Sequence, residues 1–530
     1  MADIYLTGSG DEGLDRSVRR DFEAGKLQRI ASGIYVDAAT ESVETLVLRN
    51  WPKIVGKLVP GGVATDRTGL DGQPWRDRSS GRPTGDGYVF MSGARTRDII
   101  TLPGLVINVR QGVGNVDGDI PYLGVWLAGP VRALLDNLTP SRARGGPSRT
   151  IGSAEIERRL DKLCTTHGED HLNAIRDKAR VLAPQIDREA EFAILNGMIA
   201  TLLRTREATA LTQQGRARAN GEPLDPDCIG RLVKLVSYLQ SRAPVIVQDV
   251  DTTPERKAAG SFVEAYFSNF IEGTEFTVGE AVEIVFEGKI PESRPEDGHD
   301  VLGAYLQLID LGDRSASAID ADTFIEEIQE RHRQLMEARP SVKPGMFKTR
   351  ANKAGDTTFV HPDLVKGTLR EGMAVLRSIS DPFSRALVVH FLLADVHPFN
   401  DGNGRLSRIM MTKELIAAGL SRIVIPTVYR GDYLDALRAL SRRADPSIFV
   451  RSLEFCQRVS AACSAAPIDA AIEAWARAYA FCEDGRHARL TMPDPATPIE
   501  MRNGVPAPAD YWASIAPGGG QPFGLDALRG

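Results

Sequence analysis

The twelve residues His397-Pro398-Phe399-Asn400-Asp401-Gly402-Asn403-Gly404-Arg405-Leu406-Ser407-Arg408 interrupt two apolar helical stripes, and this interruption restricts the fold more than any other feature. Upstream, Asp381 is placed to cap a helix with Pro382 at its first position, and Ala386, Val389, Leu393 and Val396 line one apolar side. Downstream, Leu406, Ile409, Met410 and Leu415 form a second stripe that Gly419 closes. The polar run is therefore a tight loop feeding the N-terminus of a helix.

Such a loop binds anions, because free backbone N–H groups and the positive end of the helix dipole converge there, and glycine lets a phosphate come close. Arg405 and Arg408 are three residues apart, so they lie near one another at the helix start and can share a polyphosphate. Asp401 is a hard oxygen ligand suited to Mg²⁺ bridging phosphates. His397 is the side chain best suited to take a hydroxyl proton near neutral pH. Taken singly, each piece is a turn or a solvated side chain. Together they describe a phosphoryl or nucleotidyl transfer site.

The run matches every fixed position of H-x-F-x-[DE]-G-N-G-R-x-x-R, and on that match the segment resembles the Fic family. A chance match in a chain of this length is on the order of one in ten million. The resemblance implies that His397 deprotonates a target hydroxyl and that Phe399 anchors the loop. It further implies that Asp401 holds Mg²⁺ against the α- and β-phosphates, and that Gly402, Asn403 and Gly404 cradle phosphates beside Arg405. Arg408 would bind the γ-phosphate of ATP. Relatives that transfer phosphate carry changes in the Gly-Asn-Gly part. Gly402 and Gly404 are kept here, which points to AMP transfer onto a Ser, Thr or Tyr hydroxyl. His390, seven residues before His397 in an apolar run, reads as a buried structural histidine.

Upstream, Ser268-Asn269-Phe270-Ile271-Glu272-Gly273 is similar to the inhibitory pattern of that family, [ST]-x-x-x-E-[GN]. Ser268 and Glu272 are four apart and share a helix face. A carboxylate at Glu272 pairing with Arg408 would occupy the guanidinium that the γ-phosphate needs. In some relatives the same glutamate serves removal of AMP, and this alternative stays open. Between the two motifs, Gly345 to Arg350 and Asp356 to Pro362 resemble the family's flap hairpin. Thr357, Thr358, Phe359 and Val360 would hold the target as an added strand.

Elsewhere the chain is less informative. At 530 residues it exceeds one core, and its net charge of −6 does not suggest a protein that coats nucleic acid through bulk charge. Its five cysteines lack metal-ligand spacing and suit a reducing cytoplasm. No secretion signal or membrane-spanning stretch is evident. Gly13 to Val36 reads as helix, turn, helix and a short strand, and Gly25-Lys26-Leu27-Gln28-Arg29-Ile30-Ala31-Ser32-Gly33-Ile34-Tyr35-Val36 resembles the winged helix of AbiEi-type antitoxins. Leu102 to Arg110 looks like a strand of that family's second region and Leu127 to Leu138 like its helix. The resemblance implies a DNA-binding regulator, alone or fused to the enzyme, with Arg16, Arg19, Arg20, Lys26 and Arg29 as phosphate contacts, while the interleaved Asp15, Asp21 and Glu23 leave a protein-interaction module open.

Segments 66–86 and 141–148 read as loops, and 294–300 as a loop and helix start with no assigned role. Glu155 to Arg180, Arg188 to Arg204 and Asp225 to Leu239 read as helices. From Met492 the Pro-, Gly- and Ala-rich end, including Pro517-Gly518-Gly519-Gly520, reads as a mobile tail. The expected architecture is multidomain: an all-α Fic core with a small β-hairpin flap, preceded by an α+β region containing a winged helix. Expected boundaries are 1–60 winged helix, 61–185 second antitoxin-like region, 186–255 helical connector, 256–466 Fic domain with inhibitory helix, and 467–530 C-terminal helix and tail. Expected partners are a target protein, this chain itself and DNA, with ATP as substrate and no membrane.

Overall fold

The computed structural model describes residues 4–8, 10–37, 41–78, 84–93, 98–142, 146–205, 210–243, 245–313, 320–483 and 486–515. The chain divides into two compact units, 1–221 and 222–530.

In the first unit, Asp11 caps the helix Glu12–Glu23 by accepting from the N–H groups of Gly13 and Leu14. The next element is a strand and not the expected helix. Gln28–Ala31 pairs antiparallel with Ile34–Val36, which pairs in turn with Ile4–Leu6. The Ser32-Gly33 turn lets that segment fold back, and cross-strand pairing overrides its weak helical spacing. Of the five expected phosphate contacts, Arg19 pairs with Glu23, and Arg20 and Lys26 pair with Asp21.

A mixed sheet follows, in the order Asp98–Leu102, Leu105–Gln111, Thr84–Gly93, Val63–Ala64, Val125–Leu127 and Ile120–Tyr122, with Trp75–Asp77 paired to Thr84–Gly93. The stretch expected as one strand from Leu102 is a hairpin turning at Pro103-Gly104, where Leu102 pairs with Leu105. Leu105, Ile107 and Val109 point alternately inward, as a strand with one buried face requires. One core takes in Ile34, Leu46 and Ile54 together with Val89, Ile107 and Val125, across the expected boundary at 60.

Two further expectations change here. Asp66–Asp71 is a helix within the stretch read as loop, because Asp66 is buried against Arg110 and Arg149 at 3.3 and 2.7 Å. The expected helix at 127–138 begins only at Pro130, since Val125–Leu127 is claimed by the sheet. Ser153–His167 and Glu169–Leu182 are separate helices broken at Gly168, and Glu189–Leu202 completes a helical core with them.

The second unit is helical. Every residue from Ala386 to Leu393 in the helix Pro382–Val396 is buried, which marks it as the centre of a bundle. It packs against Asn403–Ala417, and Pro226–Gln240, Val365–Arg377, Arg430–Arg443 and Ser447–Ala462 complete the surround. His390 at its middle is fully buried, with Nε2 3.0 Å from the Tyr433 hydroxyl.

The end of the chain is more ordered than its composition implies. Ile499–Arg502 and Val505–Pro508 form a hairpin, and Ala509–Ser514 is a helix. Ala507 and Tyr511 pack on Cys482 and Ala488, so a small apolar cluster stabilises a proline-rich segment. The Gly-rich stretch 517–520 lies outside the described residues. All five cysteines are buried free thiols, and among the described residues no helix is long and apolar enough to cross a membrane.

Candidate active site

The loop motif is built from a strained base and a pinned turn. His397 ends the helix Pro382–Val396 with its N–H donating to Leu393 O at 3.0 Å, and its backbone sits at φ 52, the left-handed region that non-glycine residues avoid. Asn403 closes the loop from within: its Oδ1 accepts from Phe399 N at 2.8 Å and its Nδ2 donates to Phe399 O at 2.9 Å. Asn403 thereby acts on the loop's own backbone. The Phe399 ring is fully buried and stacks on His332 at 3.8 Å.

Gly402 starts the helix Asn403–Ala417 at φ 76, and a Cβ there would sit 2.7 Å from Met336 Sδ. At Gly404 the constraint is space, because a Cβ would lie 2.1 Å from Glu272 Oε1. The loop thus presents bare backbone where an anion would approach. The Asp401 carboxylate is 55% exposed, with Oδ1 accepting from Gly402 N at 2.7 Å.

The His397 imidazole is held neutral. Burial pushes its pKa down from 6.5 to about 4, with a carbonyl contact at Ala394 opposing and the Lys348 charge assisting. Nδ1 lies 3.3 Å from Ala394 O, so Nδ1 carries the hydrogen and Nε2 the lone pair. Phe359 stacks flat on the ring at 3.8 Å.

Both arginines are buried on the inner side of the loop helix. Arg408 donates from Nε to Ser268 Oγ at 2.9 Å, and from Nη2 to Ser268 O at 2.9 Å and to Glu272 Oε1 at 2.6 Å. Ser268 lies in the helix Pro254–Ile271, and Glu272 caps its C-terminal end. Gly273 follows at φ 90, where the chain turns away. Arg405 pairs with Asp300 Oδ2 at 2.6 Å and donates to Asn269 Oδ1 at 3.3 Å. Its Nε has no hydrogen-bond partner among the described residues.

The hairpin before the loop is short. Lys353–Ala354 pairs antiparallel with Thr357–Thr358, and Arg442 donates to Thr357 Oγ1 at 2.9 Å. Thr358 is exposed, Phe359 covers His397, and Val360 is buried. The Val360 side chain packs into the interior.

Several site residues escaped the sequence reading. Asp300, in the stretch with no assigned role, accepts from Arg405 and also from Arg339 Nε at 2.9 Å. His332 bridges Gly345 N and Asp401 O at 2.9 Å each. The signal for His332 was a polar residue on the buried stripe of Phe324, Ile325, Ile328 and Leu335. Asn269 and Lys348 fall inside the inhibitory and flap stretches at positions given no role there. Among the described residues no three His, Cys, Asp or Glu side chains gather as a metal cluster.

Two predictions arise here. Asp300→Asn leaves the Arg405 and Arg339 guanidiniums short of a buried counter-ion, and we expect a stability loss of about 3 kcal/mol in equilibrium unfolding. A loss below about 1 kcal/mol would show that the pair is dispensable. His390 is buried neutral, its pKa pushed by burial from 6.5 to about 3. The unfolded chain protonates it below pH 6.5 and the folded one does not, so its stabilising contribution is present above 6.5 and lost as pH falls toward 3. In His390→Leu the pH slope of unfolding free energy across pH 4–6 should fall by about 1.4 kcal/mol per unit, and an unchanged slope would refute a buried neutral imidazole.

Residues 322–415 match the model of the Fic/DOC family. Protein adenylyltransferase fic-1 of Caenorhabditis elegans is 29% identical over 195 residues, which are 36% of this chain and 38% of that protein. Protein adenylyltransferase Fic of Aedes aegypti is 25% identical over 267 residues, 48% of this chain and 51% of that protein. The match to the nematode relative thus takes in well under half of that protein's length. A solved structure of C. elegans Fic-1 covers 58% of this chain and 96% of its own length, at 21% identity and a TM-score of 0.35. The loop and its flanking helices, residues 322–415, are a Fic domain of the Fic/DOC family.

Proposed function

We propose that this protein transfers AMP from ATP to a Ser, Thr or Tyr hydroxyl of a protein, and that Glu272 restrains the transfer. The observation that carries the reading is the neutral His397 with its free Nε2, set beside a bare-backbone helix start that two buried arginines underlie. The phosphates of ATP would lie along Gly402–Gly404, beside Arg405 and Arg408. His397 Nε2 takes the proton of the target hydroxyl as its oxygen attacks the α-phosphorus. The bond from the α-phosphorus to the bridging oxygen breaks, and pyrophosphate leaves.

Asp401 fits a Mg²⁺ role, because its carboxylate is exposed and its Oδ2 has a long 3.9 Å contact with Arg405 Nη2, and Mg²⁺ is commonly held by one carboxylate plus substrate phosphates. Mg²⁺ bound there supplies charge neutralisation on the phosphates. Restraint follows from occupancy: Arg408, the guanidinium suited to the γ-phosphate, is already paired with Glu272 and Ser268. A second reading rests on the same carboxylate. Glu272 stands inside the site and can orient a water, so removal of AMP from a modified protein uses the same residues. The exposed Thr358 and the half-buried Thr357 are the hairpin positions for a target segment, and the chain itself is one candidate target. The proposed setting is the cytoplasm. DNA contact through the first unit is a separate activity, tested by a salt-dependent gel shift.

The test uses the full chain carrying Glu272→Gly, with ATP labelled at either the α- or the γ-phosphate. Protein labelled from the α position alone supports AMP transfer. Label from the γ position alone indicates phosphate transfer instead. Absence of both, combined with release of AMP from a pre-modified protein, would favour the second reading.

A further inference from the structure

Lys348 lies in the Gly345 to Arg350 stretch with no role assigned to it there, yet the residue is buried, with 3% exposure. It donates to Val396 O at 3.1 Å and to Asn352 Oδ1 at 2.7 Å, while its backbone N–H donates to Pro398 O at 2.9 Å. Asn352 passes the connection on, its Nδ2 donating to Phe399 O at 3.0 Å. Three carbonyls are tied in this way, those of Val396, Pro398 and Phe399, and they bracket His397. No carboxylate pairs with Lys348 among the described residues. Its compensation is neutral oxygen, including the last carbonyl of the helix Pro382–Val396, where the negative end of the helix dipole favours a cation.

We infer that Lys348 is a positioning residue for the base: its ammonium fastens the 345–352 segment and the hairpin that follows to the end of the Pro382–Val396 helix. His397 needs such fastening. Its backbone occupies a left-handed conformation that surrounding structure must impose, and Phe359 of the hairpin must stay flat on the ring to keep Nε2 aimed. The inference rests on the AMP-transfer reading for its kinetic arm only.

The group is also poised to titrate. Burial pulls its pKa from 10.5 to about 8. The titratable group facing it from the Pro382–Val396 helix is His397, which is already neutral at this pH, and Asn352 and Phe359 do not ionise. On the hairpin's outer side, Arg442 reaches Thr357 and Asp356. The ammonium is intact below about pH 8 and lost above it, so the fastening weakens as pH rises.

The experiment compares Lys348→Met and Lys348→Arg in the Glu272→Gly chain. We expect Lys348→Met to lower kcat about tenfold or more while ATP binding changes less than about twofold, with amide hydrogen exchange in 353–359 accelerated. Lys348→Arg should recover most of kcat and move the alkaline limb of the rate from about pH 8 to higher pH. Equal kcat, equal exchange and an unmoved limb in Lys348→Met would overturn the inference. If no variant transfers AMP, the catalytic reading fails, and the exchange comparison alone still decides whether Lys348 holds the hairpin.

Discussion

His397→Ala, made in the Glu272→Gly chain, should lower transfer of α-label by about 10³-fold while leaving ATP affinity nearly unchanged. The magnitude reflects removal of the group that takes the hydroxyl proton, since an alcohol attacking phosphorus without a base must carry its proton into the transition state. Affinity is spared because the groups proposed to face the phosphates, Arg405, Arg408 and the backbone of Gly402–Gly404, do not involve the imidazole. Acid should act on the parent enzyme in the same way. With burial holding the imidazole near 4, the rate of the free enzyme should stay level from pH 7 to 5 and fall only as pH drops through about 4. A limb near 6.5 would mean the ring is solvated and the described packing is wrong. Loss of ATP binding in His397→Ala would instead assign the residue a structural role in the loop.

Glu272→Gly should raise transfer about 10- to 100-fold over the unmodified chain. The carboxylate contributes a charge-assisted hydrogen bond of 2.6 Å to Arg408, and such bonds contribute about 1.5–3 kcal/mol. Freed of it, the guanidinium keeps its two contacts with Ser268 and gains an open place for a phosphate oxygen. Glu272→Gln is the informative companion. It keeps the size but loses the charge, so it should release most of the restraint if repulsion of the γ-phosphate dominates. Equal rates for Glu272→Gly and the unmodified chain would sink the restraint hypothesis and leave the Glu272–Arg408 pair as a structural contact.

The catalytic loop was legible because its signals are consecutive. Helix caps at Asp381 and Gly419, two apolar stripes and the polar run between them are local patterns, and the structure places a helix on each side. The face-sharing of Ser268 and Glu272 was legible for the same reason. The partners of these residues were not. Asp300 lies 105 positions before Arg405, and Lys348 lies 48 before Val396. Only packing brings such pairs together.

The errors have a common origin too. Residues 28–31 have some helical spacing but gain a strand partner, and Asp66 heads a helix where Arg110 of the sheet and Arg149 of a later loop reach it. Composition reads the tail from Met492 as mobile, because it counts apolar atoms but not the small cluster that Ala507 and Tyr511 make with Cys482.

By itself the sequence set out the chemistry proposed for the loop, since its residue types and their spacing suit a base, an anion cradle and two cations. Tertiary structure alone decided their states: that His397 is neutral and capped by Phe359, that Arg408 is occupied by Glu272, and that Arg405 is held by Asp300. The physical reason is that desolvation and ion pairing depend on what lies within a few ångströms in space, and residue order constrains that only within an element.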